Sequence, residues 1–406
     1  MSIPGKKNIL FFQNSILPAN GGVPRVSDII SAELTKRGYN CYFVFYDKDN
    51  ALYADEYKLK VDLKGNYQIF ESSIMQFVQK NEIDVVLCQN TYFMPFINVF
   101  RQIRKLSPSR QFFCFLHASP DYWQFSFREK NHFLSHRFFI NAAKKVAKRV
   151  AFTFHNPYIK TTSALYELCD KFILLSDSFK ESFFKIYHVE QADNKLLSIP
   201  NPLTFSESLL PGEINTKQKT VLIVSRLDES QKKISIALKI WKLLPKATRD
   251  TWKLMIVGTG PDELSYKNYA KEHNLHNVHF AGQQSNVIDY YRQSSIFMMT
   301  SIWEGLPMSL LEAQQNGVVP IAFDNFSSIY DVVLDGENGY VIKQNNITEF
   351  RDKLHELMEN ENLRYKMALK SIENSKGYQV SNIVDQWERL WGTESTGPAS
   401  SNINQI

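Results

Sequence analysis

Short apolar runs alternate with longer segments of helical period along most of the chain. In the first half the apolar runs are NILFF from Asn8, CYFVFY from Cys41, DVVLC from Asp84, QFFCFLH from Gln111 and KFILLS from Lys171. Several are apolar at consecutive positions, the pattern of strands buried on both faces. Helical stretches such as 25–36 lie between them. Strands alternating with helices predict a parallel sheet covered on both sides. The second half repeats the pattern with TVLIVS from Thr220, KLMIVG from Lys253, NVHFAG from Asn277, SIFMMTS from Ser295 and VVPIAF from Val318. Its intervening helices include 234–244 and 262–273. Between Asn201 and Lys219 the periodicity fades, and Pro202, Pro211 and Gly212 punctuate the chain.

The expectation is therefore an α/β protein of two doubly wound, Rossmann-like domains, over 1–203 and 204–377. Ligands of such sheets bind at the carboxyl ends of the strands, so the interdomain cleft is the expected site. A last amphipathic helix over 380–391 follows Lys376-Gly377. The tail 393–406 is mostly Ser, Gly, Asn and Thr and is expected to be disordered.

Composition narrows the choice of function. The 406 residues suit two domains, and 44% hydrophobic content allows each a core. A net charge of +5 suits an anionic ligand or a bilayer surface and is too small to argue for nucleic acid. No apolar stretch reaches the 18 residues of a membrane span, and Ile9 to Phe12 is too short for a signal segment. A soluble, cytoplasmic chain is expected. Cys41, Cys88, Cys114 and Cys169 show no paired spacing, so free thiols are expected rather than disulfides or zinc.

The richest segment is TSIWEGLPMSLLEAQQNGVVPIAF, from Thr300. A strand ends near Thr300, a loop carries Glu304-Gly305-Leu306-Pro307, and a helix runs to about Asn316, where Gly317 stops it. Pro307 suits the first helical turn, and the free N–H groups after it favour phosphate or sugar oxygens. Eight helical residues span about 12 Å, so Glu304 and Glu312 fit two separated hydroxyl-binding points, as a nucleotide sugar needs for its hexose and ribose. The competing reading has Glu304 capping the helix and Glu312 on a solvated face.

Weaker signals point to the same cleft. In VLIVSRLDESQKK, Arg226 leaves a strand end and Lys232 precedes a helix. Two such cations neutralise a diphosphate, or they line a solvated loop. In ILPANGGVPRV, Gly21 and Gly22 separate the first strand from its helix, with Pro24 near the helix start. The pair allows close phosphate approach, or is simply a turn. GTGPD, from Gly258, reads as a turn before a helix. His117 ends a strand at the cleft, where a lone histidine ordinarily reads as a hydrogen-bonded core residue. Residues 136–150, with Arg137, Lys144, Lys145, Lys148 and Arg149 among Phe138, Phe139, Ile140 and Val146, read as a basic amphipathic helix, for peripheral docking on the cytoplasmic membrane face or as a plain surface helix. Asp47-Lys48-Asp49 matches a metal-binding Asp-x-Asp string but reads as a polar turn.

Together these pieces resemble the retaining glycosyltransferases of family 4, with the GT-B fold, and in particular bacterial surface-polysaccharide enzymes. The resemblance runs in order through Gly21-Gly22, His117, CDKFILLSDSFKESF from Cys169, SIPNP ending at Pro202, VSRLDESQKK from Val224, VGTGPDE from Val257, HFAGQQSNVIDYY from His279, EGLPMSLLEA from Glu304 and DGENGYVI from Asp335. It implies that Glu304 contacts the donor sugar and Glu312 the ribose, and that the backbone of Gly305, Leu306 and Met308 holds sugar or phosphate oxygens. It implies that Arg226 and Lys232 bind the diphosphate, that Gly282 and Gln283 face the base, and that His117 reaches the donor sugar from the other lobe. The catalytic set so implied is Glu304, His117, Arg226 and Lys232, with Gly21 and Gly22 also on the donor. The helix at 378–392 would pack back on the first domain. The implied reaction moves a hexose, from a UDP-sugar as the expected donor, to a glycan or lipid-linked acceptor, with retention and without metal or other cofactor. A nucleotide-sugar epimerase of related fold and a non-catalytic nucleotide-sugar binder stay open. The chain departs from the family pattern at Pro24, at Pro202, at FTFHNPYIK from Phe152, and at Lys233, where the family usually has Gly.

Overall fold

The computed structural model describes residues 7–18, 21–46, 55–61, 67–89, 94–121, 157–192 and 194–392. Two all-parallel sheets organise them. The first is built from β1 (Asn8–Gln13), α1 (Gly22–Lys36), β2 (Asn40–Phe45), β3 (Lys58–Lys60), α2 (Tyr67–Lys80), β4 (Val85–Gln89), α3 (Met94–Leu106), β5 (Gln111–Leu116), α4 (Pro157–Leu168), β6 (Lys171–Leu174), α5 (Lys180–Tyr187) and β7 (Leu196–Ser198). Its strand order is β3-β2-β1-β4-β5-β6-β7. The second is built from β8 (Thr220–Val224), α6 (Ile234–Leu243), α7 (Lys246–Thr251), β9 (Lys253–Val257), α8 (Glu263–Glu272), β10 (Val278–Gly282), α9 (Ile288–Gln293), β11 (Ile296–Met299), α10 (Met308–Gln315), β12 (Val319–Phe323), α11 (Ile329–Val332) and β13 (Tyr340–Ile342), in the order β10-β9-β8-β11-β12-β13. Then follow α12 (Ile347–Glu359), α13 (Glu361–Ser375) and α14 (Val380–Leu390).

Every strand expected from an apolar run forms. The additional strands β3, β7 and β13 are three residues each and lie at sheet edges. Three residues carry no readable period, and short edge strands leave little unpaired backbone to recruit another chain. Two helix starts differ from expectation. α1 begins at Gly22, so Pro24 is its third residue, and Pro307 is the N-cap of α10 rather than its first residue. Gly317 ends that helix at φ +60°, where a side chain is strained.

The apolar cluster of the first lobe continues into the second through Leu306, Leu310, Phe326 and Ile329, so the lobes share packed surface. α14 returns to the first lobe and packs on α1. It buries Ile383, Val384 and Trp387. Arg37, the C-cap of α1, holds Asp385 at 2.6 Å and Glu388 at 2.7 Å. The Trp387 ring stacks on Phe115 of β5 at 5.3 Å. The four cysteines are free, and Cys41 is only partly buried. No helix among the described residues is long and apolar enough to cross a membrane. The segments 47–50, 136–150 and 393–406, and with them the Asp47-Lys48-Asp49 turn, the basic helix and the disordered tail expected from the sequence, lie outside the described residues.

Candidate active site

In the second lobe, the loops after β8 and β11 are laced together. Thr300 Oγ1 donates to the carbonyls of Lys232 (2.9 Å) and Lys233 (3.0 Å). The Ile302 N–H donates to the Gln231 carbonyl at 2.9 Å, and Gln231 Nε2 to the Trp303 carbonyl at 3.1 Å. This lacing brings Lys232 Nζ to 2.5 Å from Glu304 Oε1. Arg226 donates to Gln231 Oε1 at 3.0 Å and leaves 61% of its side chain exposed. Its charge is thus tethered but open to a ligand. Gly258 and Gly260 let the next loop approach closely: a Cβ would lie 2.0 Å from the Ser225 carbonyl oxygen and 2.3 Å from that of Leu227. GTGPD is a packing turn here, as its sequence suggests.

Both glutamates are buried, and neither plays the structural part that competed for it. Glu304 is 8% exposed, and no side chain caps α10. Glu312 is 4% exposed and faces protein, not solvent. Its Oε2 accepts from the Tyr291 hydroxyl at 2.8 Å. Its Oε1 accepts from Thr204 Oγ1 at 2.5 Å and meets Arg25 Nη1 at 3.4 Å. Burial first, and then the carboxylate beside it, holds the Tyr291 phenol well above its ordinary range, so it stays a donor. Arg25 belongs to α1, so this ion pair joins the two lobes. Its guanidinium also lies 5.9 Å from the centre of the Phe205 ring.

From the first lobe, Gly21 is the N-cap of α1 at φ +144°, a conformation that favours glycine. A Cβ at Gly21 or at Gly22 would meet no atom within 4 Å, so this turn is open for a ligand to approach. His117 sits just past β5. Its ring stacks on Phe115 at 4.1 Å, and its Nε2 hydrogen-bonds Gln89 Oε1 at the end of β4. Burial pushes its pKa down to about 3, with Asn201 opposing, so the ring is neutral near pH 7. It is thus a hydrogen-bonded histidine and a cleft residue at once. Gly305 closes the gap between lobes: a Cβ there would stand 2.9 Å from the His117 carbonyl oxygen and 3.0 Å from Leu175.

The structure therefore gathers Lys232, Glu304, Gly305 and His117 at one point, with Arg226 attached through Gln231. Glu312 lies at the other end of α10, against α9 and α1. Leu306 spends its side chain on the shared core, which leaves its backbone for a ligand. Met308 is the first residue of α10. Gly282, at φ +68°, ends β10, two strands from β8, and Gln283 next to it is exposed. Sequence reasoning did not pick out Arg25, Gln89, Thr204, Gln231 or Tyr291. Gln89 had a usable signal, since it ends its strand as His117 does. Arg25 had one too, three residues beyond the glycine pair.

Two Rossmann-like lobes facing a cleft form the GT-B architecture. A family model described as glycosyl transferases group 1 matches residues 208–375. Over 396 residues, 95% of this chain and 99% of the relative, the chain is 29% identical to an uncharacterized glycosyltransferase of Haemophilus influenzae. It is 34% identical over 175 residues to the amylovoran biosynthesis glycosyltransferase AmsD of Erwinia amylovora, which covers 43% of this chain and 48% of that one. The structure of Anabaena HepE in complex with UDP superposes with a TM-score of 0.70 at 15% identity, over 94% of this chain and 99% of that one, which shows the shared fold. Residues 208–375 thus resemble the group 1 glycosyltransferases, in line with the family 4 resemblance of the sequence motifs.

Proposed function

We propose that the protein transfers a hexose from a UDP-sugar to a glycan or lipid-linked saccharide in surface-polysaccharide assembly, with retention of configuration and without a metal. The observation that carries this reading is the 2.5 Å pair of Lys232 and Glu304, set between Arg226 and the His117–Gly305 contact. In the reaction, the bond from the anomeric carbon to the β-phosphate oxygen breaks and UDP leaves with the electron pair. The acceptor hydroxyl bonds to that carbon on the same face, and its proton passes to the departing phosphate. Arg226, Lys232 and the N-terminus of α10 stabilise the growing phosphate charge, a preorganised arrangement. Glu304 orients the hexose, and Glu312 receives the ribose. The UDP in the HepE complex and the polysaccharide role in the AmsD name support the donor class and the pathway.

The test is turnover of a panel of UDP-hexoses with polysaccharide-repeat acceptors, followed by UDP release and by the anomeric coupling of the product. Release of UDP with an α-linked product from an α-linked donor is expected. A new UDP-hexose without free UDP would instead make the protein an epimerase. UDP binding without turnover across a broad acceptor panel would make it a binder.

A further inference from the structure

The six-residue helix α9 ends against the segment that joins the lobes. Its last four carbonyls, those of Tyr290, Tyr291, Arg292 and Gln293, lack partners inside the helix, as at any helix end. Ser294 Oγ meets the first at 2.6 Å, and the Ser294 N–H lies 3.2 Å from the second. Two residues just before β8 supply the rest. Lys217 Nζ donates to the carbonyls of Tyr291 and Arg292 at 3.1 Å each, and to that of Ser294, the C-cap, at 2.8 Å. The Gln218 N–H donates to the Gln293 carbonyl at 2.8 Å. An ammonium suits a helix C-terminus, where it opposes the negative end of the dipole. A helix this short has little stability of its own, so these tethers set where it sits.

Tyr291 carries the tether onward. Its carbonyl takes the Lys217 ammonium, and its hydroxyl donates to Glu312 Oε2 at 2.8 Å. The buried ring stacks on Phe297 of β11 at 5.9 Å and meets Phe205 edge-on at 5.8 Å. The other carboxylate oxygen, Oε1, accepts from Thr204 Oγ1 at 2.5 Å. Thr204, Phe205 and Lys217 all lie between β7 and β8. The joining segment thus reaches both oxygens of Glu312, one directly and one through Lys217 and Tyr291. A carboxylate held at both oxygens cannot rotate freely, so the lone pairs left for a ligand keep one direction.

We propose that Lys217 is a positioning residue for the nucleotide: by pinning the C-terminus of α9 it fixes Tyr291, and Tyr291 aims Glu312 at the ribose hydroxyls. This rests on the reading that Glu312 receives the ribose, and names the part of the fold that holds the carboxylate in place. Lys217 acts through Tyr291 and touches no ligand.

Calorimetric titration of the 406-residue protein with UDP and with 2′,3′-dideoxy-UDP tests this. The measurement is made at pH 6, where the ammonium is charged: burial brings the Lys217 pKa down to about 7, with Glu213 opposing. Wild type should prefer UDP by about tenfold or more, because a site built to bond a hydroxyl rejects the analogue that lacks it. Lys217→Met keeps the stem and removes the ammonium. It should compress the preference to about threefold or less, while affinity for dideoxy-UDP stays within about twofold. Loss of stability alone would not move the ratio between two ligands of one site. Tyr291→Phe should compress the ratio as far, and the double variant no further, because the two residues act in one chain. A preserved ratio in folded Lys217→Met, or additive losses in the double variant, overturns the inference and leaves the proposed function standing. A wild type that binds both ligands alike, or neither, overturns the ribose role of Glu312 and this inference with it. If the methionine variant does not fold, Lys217→Gln carries the same comparison.

Discussion

Lys232 Nζ stands 2.5 Å from Glu304 Oε1, a cation from the loop after β8 against a carboxylate from the loop after β11. The pair is assembled by backbone: Thr300 holds the Lys232 carbonyl, and the Gln231 carbonyl holds the Ile302 N–H. In the proposed reaction a bound diphosphate would draw Lys232 away and leave Glu304 to a sugar hydroxyl. Glu304→Gln should therefore abolish transfer while UDP affinity stays close to wild type, since UDP lacks the sugar that Glu304 is proposed to touch. Steady-state turnover and UDP titration of the variant check this. Wild-type turnover would remove Glu304 from the mechanism.

Arg25 and Glu312 join the lobes at the opposite end of α10. Glu312 is the shared acceptor of Tyr291, Thr204 and Arg25, so deleting it leaves three donors unmatched. Glu312→Ala should cost about 1–3 kcal/mol of stability, the range for leaving a buried donor such as the Tyr291 hydroxyl unsatisfied. Glu312→Gln keeps an acceptor oxygen and should cost distinctly less. Arg25 is 38% exposed at its side chain, so Arg25→Met should cost under about 1 kcal/mol. Denaturant unfolding of the three variants gives the order. A Glu312→Ala protein as stable as Arg25→Met would mean that the network contributes little.

Lys233 occupies the N-cap of α6 at φ +51°, ψ +43°. The position is left-handed, which accounts for the glycine usual in the family, and a side chain there costs about 1–2 kcal/mol. Its 3.5 Å contact with Glu229 is partly exposed and returns under about 1 kcal/mol. Lys233→Gly should therefore stabilise the protein, by about 0.5–1 kcal/mol after the extra unfolded-state entropy of glycine. A higher denaturant midpoint at unchanged slope is the expected record. A lower midpoint would show that the Glu229 pair outweighs the strain.

The same residues show how far the sequence was legible. Apolar runs at β1, β4, β5, β8 and β11 exposed both sheets, because strands buried on two faces leave unbroken hydrophobic text. The EGLPMSLLEA motif singled out Glu304 and Glu312, Gly21 and Arg226 were legible beside strand ends, and Lys232 ahead of a helix. Spacing alone did not tell a buried glutamate from a capping or solvated one, because burial depends on what the rest of the chain packs against it. Tyr291, Thr204 and Arg25 converge on Glu312 from three elements distant in sequence, and no local pattern encodes that. Gln89 and His117 meet through strand register, which appears only once the sheet order is known.

His117 ties stability to pH. Burial lowers its pKa to about 3, against about 6.5 in an unfolded chain. Between these values the unfolded state binds the extra proton. Stability is therefore full above about pH 6.5 and falls as pH drops toward 3, by up to about 1.4 kcal/mol per pH unit. His117→Gln should flatten that part of the profile. Denaturant midpoints of both proteins from pH 4 to pH 8 check it. Parallel profiles would mean that the ring takes up its proton without loss of the fold.

Transfer should need no divalent metal, because positive charge already stands where a diphosphate would bind. Lys232 and Arg226 supply two positive charges, and the N-terminus of α10 adds a dipole, the role that a metal fills in other transferases. The Asp47-Lys48-Asp49 string follows β2 in the sequence, whereas these cations stand on the second lobe. Activity should therefore survive EDTA, and replacing Asp47 and Asp49 together by alanine should leave the rate within several-fold of wild type. Arg226→Ala and Lys232→Ala should each cost about 2–4 kcal/mol of transition-state stabilisation, the range for one lost oxyanion donor. The Lys232 variant also frees Glu304 from its partner, so its UDP affinity should fall more than that of Arg226→Ala, whose cation is exposed. Initial rates with EDTA, and then with added manganese, decide the matter. Loss of turnover in EDTA and its return with manganese would move the phosphate-neutralising role away from Arg226 and Lys232.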